Sequence, residues 1–149
     1  MTLSTNKMPE VFSIGYERRK PDELCAALVQ ARVGLLVDVR ERAWSQRPEF
    51  RRTAFATSLR AAGVDYMHMR EAGNPLRPTA GTAVNLAQCR AAYEGHLSEH
   101  PEVVVELAEL LTVRRIAVFC YEGHHTRCHR GVLLDALRVR LPDLLVTEL

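Results

Sequence analysis

Apolar positions change period several times along this chain, and the changes alternate between strand-like and helix-like spacing. Residues 11–15 form a short apolar run ended by Gly15, the pattern of a strand. Pro21-Asp22-Glu23 then sets a proline near the first helical position with acids in the first turn. Leu24, Ala27, Leu28 and Ala31 follow at three- and four-residue intervals as far as Gly34, which predicts an amphipathic helix. Residues 35–39 are apolar except for Asp38, as in a strand buried on both faces of a parallel sheet. Phe55, Leu59 and Ala62 mark a second helical face closed by Gly63, and residues 64–69 return to strand character. Helices are predicted over 84–97 and 102–111, divided by Pro101. A strand over 115–120, a helix over 130–141 and an edge strand over 144–148 complete the pattern.

This alternation predicts an α/β fold: a single three-layer domain over 11–149, its mainly parallel sheet flanked by helices, after a disordered arm over 1–10. Ligands in such folds bind beyond the carboxyl ends of the strands, so the pattern also predicts where function lies. The stretch 71–82, with Gly73, Asn74, Pro75, Pro78 and Gly81, reads as a long loop able to act as a lid.

Composition narrows the possibilities. With 149 residues, 47% of them hydrophobic and 26% charged, the chain suits one globular domain. The net charge of +2 comes from 20 basic and 18 acidic residues, so any affinity for anions has to be local. No apolar run approaches the ~20 residues that span a bilayer, and the opening residues lack a signal-type apolar segment, so a cytoplasmic location is expected. Cys25, Cys89, Cys120 and Cys128 are then expected as reduced thiols rather than a disulfide framework.

The residues at and after the predicted strands carry the chemistry. They are Tyr16, Glu17 and Arg18, then Asp38 and Arg40, then His68 and Arg70, then the run from Cys120 to Arg130. That run includes Gly123, His124, His125, Arg127, Cys128 and His129 between a strand and a helix. The positive end of the helix and its unpaired N–H groups would favour an anion there. This reading gives ligand-binding roles to Tyr16, Glu17, Arg40, Arg127, Cys128 and Arg130. Cys120 is the candidate nucleophile, and His68 or His129 the proton carrier. Asp38 is expected chiefly to pair with Arg40 and hold it. Between positions 40 and 60, six arginines face only Glu41 and Glu49, with Trp44 and Phe50 as stacking surfaces.

Ile14-Gly15-Tyr16, Leu36-Val37-Asp38-Val39-Arg40, Tyr66-Met67-His68 and Cys120 with Cys128-His129-Arg130 resemble the domain of unknown function 488 family. The resemblance implies a compact α/β domain in which the strand-end arginine and the Cys-His-Arg segment share one site. It supplies no reaction. Gly123-His124-His125 departs from the family's usual acidic and proline residues before the second cysteine.

Three functions compete. The leading one is an anion pocket for a phosphate-bearing ligand, a nucleotide or a nucleic acid. The second is thiol chemistry at Cys120, since Asp38-Val39-Arg40-Glu41 and a later strand-end cysteine also look like a rhodanese-type sulfurtransferase. A phosphatase loop is discounted because six residues, not five, separate Cys120 from Arg127. The third is a metal site drawn from Cys120, His124, His125, Cys128 and His129. Neither a cofactor nor a resident metal belongs to the preferred reading, which expects a small anionic ligand or nucleic acid as partner, no membrane, and leaves a homodimer open.

Overall fold

The computed structural model describes residues 8–75, 86–123 and 129–149. Five parallel strands, β1 (Glu10–Gly15), β2 (Leu35–Asp38), β3 (Asp65–His68), β4 (Ile116–Cys120) and β5 (Leu145–Glu148), form one sheet in the order β3-β2-β4-β1-β5. The described residues also form five α-helices: α1 (Pro21–Gln30), α2 (Arg52–Ala61), α3 (Leu86–Glu99), α4 (Glu102–Val113) and α5 (His129–Arg140). The α/β arrangement with helices on both faces of a parallel sheet is the one that the alternating pattern predicts. Among the described residues no helix is long and apolar enough to cross a membrane.

Strand periodicity divides the core in two. Phe12, Ile14, Leu36, Ala117 and Phe119 pack with Leu24 and Leu28 of α1 and Phe55 and Leu59 of α2. Their chain neighbours Val11, Leu35, Val37, Ile116 and Val118 face the other way, onto Tyr93, Leu107, Leu133 and Leu137 from α3, α4 and α5. The central strands β2 and β4 are buried along their whole length, which explains their unbroken apolar character.

All strands run in one direction, so their carboxyl ends meet along a single edge. Gly15 lies opposite Cys120, and Asp38 lies opposite both Phe119 and His68. The chain leaves that edge four times into connections that end in helices. The segment after β2 folds over the edge, turns once through a 3-10 turn at Pro48–Phe50, and enters α2. A second 3-10 turn, Arg70–Ala72, opens the stretch expected as a loop. Residues 76–82 of that stretch lie outside the described residues.

Candidate functional site

Asp38 is the last residue of β2 and points toward the α1/α2 face, as does Tyr66 one strand away. Its carboxylate gathers four donors. Arg40 supplies its backbone N–H at 3.1 Å and Nε at 2.9 Å to Oδ1 and Nη2 at 2.6 Å to Oδ2, and the Tyr66 hydroxyl donates to Oδ2 at 2.6 Å. Nη1 of Arg40 donates to the Phe50 carbonyl at 2.9 Å, and the guanidinium lies against the rings of Tyr16 and Phe119. Burial disfavours the Arg40 cation, but hydrogen bonding and charge from Asp38 more than offset this and hold its pKa above the usual range.

Arg40, expected to hold a ligand, is therefore committed inside the protein at 3% exposure. The reason is local: residues i and i+2 lie on one side of an extended chain, so the carboxylate reaches the guanidinium before any outside anion does. The pairing of Asp38 with Arg40 is the one the sequence suggests. Tyr66 is a partner that the sequence reading does not include. Burial first, and then the charge of Asp38, push the Tyr66 hydroxyl up from its ordinary value. A tyrosine held neutral when folded loses stability relative to the unfolded chain once the unfolded phenol ionises, above pH ~10. Tyr66→Phe should cost about 1–2 kcal/mol at pH 7 by removing one donor. The gap from wild type should narrow at pH ~11, as read by urea denaturation at both pH values.

The other predicted residues fall into different surroundings. Tyr16 is buried, its ring stacked on Phe50 at 4.5 Å and Phe119 at 5.3 Å. Its carbonyl accepts from Arg47 Nη1 at 2.9 Å. Glu17 accepts from the Gly123 N–H at 3.0 Å and so fixes the start of the segment after β4. Cys120 is 2% exposed and belongs to the opposite core, with Sγ 3.4 Å from a Glu122 carboxylate oxygen. Reactive thiols are usually accessible, and this one is buried. Arg130 is fully buried, and its Nη2 donates to the Glu122 carbonyl. Arg127 and Cys128, with His124 and His125 of the metal alternative, lie outside the described residues. No group of three His, Cys, Asp or Glu side chains among the described residues has the geometry to hold a metal ion.

Two histidines secure the end of β2 and the residues beyond it. His129 Nε2 donates to the Val39 carbonyl at 2.7 Å, and His68 Nε2 donates to the Arg40 carbonyl at 2.7 Å. A carbonyl can only accept, so Nε2 carries the proton in both rings. For His68 that leaves Nδ1 as the acceptor nitrogen of the ring.

The edge beyond β2 and β3 holds an open depression of about 480 Å³, lined in part by Glu41, Arg42, Trp44, Arg52, His68 and Arg70. Among the described residues, Arg42, Arg52 and Arg70 form no ion pair with a carboxylate, and all three are exposed. The loop that carries Arg42 and Trp44 is firmly seated. Arg52 N–H donates to the Ala43 carbonyl at 3.0 Å and Arg51 Nε to the Ser45 carbonyl at 2.9 Å. Gly73 passes so close beneath Glu41 that a Cβ there would meet the Glu41 Cα at 2.2 Å. Among the described residues with an expected role, His68 and Trp44 line this depression. Phe50, expected as a stacking surface, is instead fully buried among Tyr16, Phe55 and Phe119. The sequence singles out Arg70 as a strand-end residue and Arg42 and Arg52 within the excess of arginine after β2, but gives none of the three a ligand-binding role.

The fold defines an α/β domain with a parallel sheet, and the carboxyl edge of such a sheet is the usual place for a ligand in this architecture. Residues 20–137 match the family described as Domain of unknown function DUF488, and the chain belongs to that family. No curated protein and no solved structure matches it. The likeness to rhodanese-type sulfurtransferases thus finds no support in the comparisons.

Proposed function

We propose that this protein binds a phosphate-bearing ligand in the depression beyond β2 and β3. The observation that carries the reading is the convergence of Arg42, Arg52 and Arg70, without described carboxylate partners, with His68 around one concavity. Its volume falls within the ~300–1,000 Å³ of small-molecule sites.

A local conflict in α2 supports the same reading. The helix begins with Arg51 at its N-cap and Arg52 as its first residue, and its first turn contains no acid. Cations at the positive end of a helix dipole are misplaced, each by about 0.3–1 kcal/mol. An anion bound beside Arg52 relieves that repulsion and meets the helix's own positive end. Arg40, by contrast, serves the ligand only indirectly, by holding the loop through the Phe50 and Trp44 carbonyls.

The test is Arg52→Glu, assayed for both stability and binding. Reversing the charge should raise the unfolding free energy by about 1 kcal/mol, because the helix start gains the sign it favours. The same change should weaken pyrophosphate binding at least tenfold. Affinity of the wild type should fall steeply as salt rises. Arg138→Ala, on the exposed surface of α5, serves as the control and should leave binding unchanged. Undiminished pyrophosphate binding by Arg52→Glu would defeat the proposal.

A further inference from the structure

Trp44 is the only tryptophan of the chain, and it is 53% exposed at the margin of the depression. Large aromatic rings are usually well covered, so a half-open indole needs a reason. Its surroundings show that it is fixed, not loose. The Arg51 guanidinium lies over the ring, 4.8 Å from its centroid, and Arg51 is itself anchored to the Ser45 carbonyl. The Trp44 carbonyl accepts from buried Arg40 at 3.4 Å, and the Arg47 N–H is tied to Ser45 Oγ at 3.1 Å. Trp44 lines the depression together with Arg42, Arg52 and Arg70, whereas Arg51 does not. The indole thus carries a cation against its ring and leaves about half of its surface open at the rim of that space.

From this arrangement we infer that the ligand carries an unpaired nucleobase as well as phosphate, and that Trp44 is the surface on which the base stacks. The inference rests on the phosphate-binding reading above and adds the class of ligand. A cation held on one face of an aromatic ring and a flat π-system on the other is a favourable sandwich, and stacking tolerates any base. A base in duplex is covered above and below by its neighbours and cannot occupy this place without leaving the stack. The chemistry is shared by free nucleotides and single-stranded nucleic acid.

Because Trp44 is unique, its fluorescence reports on the site without a label. The whole protein is titrated at low salt with ribose 5-phosphate, with AMP, and with a single-stranded and a duplex oligonucleotide. AMP should quench Trp44 and bind roughly 5- to 100-fold more tightly than ribose 5-phosphate, the gain from stacking one base. Trp44→Ala should abolish that preference while retaining ribose 5-phosphate binding, and Trp44→Phe should keep part of it, with affinities measured by calorimetry. A single strand that binds more tightly than AMP identifies the source as polynucleotide, and equal binding identifies a free nucleotide. Equal affinity for AMP and ribose 5-phosphate without quenching would overturn the stacking inference and leave phosphate binding standing. Preference for duplex over single strand would overturn it as well. Failure of every phosphate compound to bind would remove both readings.

Discussion

Replacing Asp38 by asparagine should lower the unfolding free energy by about 3–5 kcal/mol, the usual loss when one member of a buried ion pair is removed. The substitution keeps the shape of the side chain and removes only its charge and one acceptor. Four donors converge on the two carboxylate oxygens, three from Arg40 and one from Tyr66. An amide offers a single acceptor oxygen, so at one of the two positions N–H would face N–H or O–H. The Arg40 guanidinium would then remain at 3% exposure with its charge uncompensated. Denaturant unfolding followed by circular dichroism measures the loss. A change below about 1 kcal/mol would mean that Arg40 reaches water in solution, and the description of a closed Asp38–Arg40 pair would have to be abandoned.

Gly15→Ala should be nearly as damaging, at about 3 kcal/mol, toward the upper end of the range for forced overpacking. A Cβ at Gly15 would stand 1.7 Å from the carbonyl oxygen of Glu122 and 2.9 Å from that of Tyr121. Both obstacles are backbone, so neither can swing aside. The chain after β4 is held there by the Glu17 N–H donating to the Tyr121 carbonyl at 2.8 Å, and the Glu122 carbonyl also receives the buried Arg130. Moving Glu122 therefore disturbs the first turn of α5 as well as the end of β1. Gly95→Ala, inside α3 where a Cβ meets nothing within 4 Å, provides the contrast and should stabilise by about 0.5–1 kcal/mol. Thermal melts of the two variants should move in opposite directions. A Gly15→Ala protein as stable as wild type would show that residues 121–122 do not pass over β1 as described.

The sequence carried the fold in its periodicity because each buried face is written by short-range spacing. The apolar run at 35–39 corresponds to β2, and the proline and acids at 21–23 correspond to the first turn of α1. The strand order was not legible, because β1 pairs with strands far along the chain and no local pattern encodes that choice. For the site, spacing brought the right segments to the edge but could not tell which side chains the protein uses for itself. Arg40 and Arg42 look alike in a sequence. One meets Asp38 two residues earlier and is buried, and the other has no such neighbour and lines the depression. Phe50 and Trp44 separate in the same way, since the 3-10 turn rotates Phe50 into the core and leaves Trp44 outside it. Arg70 was noted after β3, yet its partnership with Arg42 and Arg52 depends on β3 lying beside β2, which is again a matter of strand order.

That strand order has a consequence for how the polypeptide emerges during synthesis. β1 is made first, yet its neighbours in the sheet are β4 and β5, the last two strands to be made. Until residues 116–120 have left the ribosome, Val11, Phe12 and Ile14 have no strand to lie against, and β2 and β3 can form only a two-stranded ribbon. At a synthesis rate of about 5–20 residues per second, the wait lasts on the order of 5–20 seconds. A nascent chain of this design exposes an apolar strand through most of its own translation, and its yield in the cell will depend on how well that first strand is sheltered in the interval.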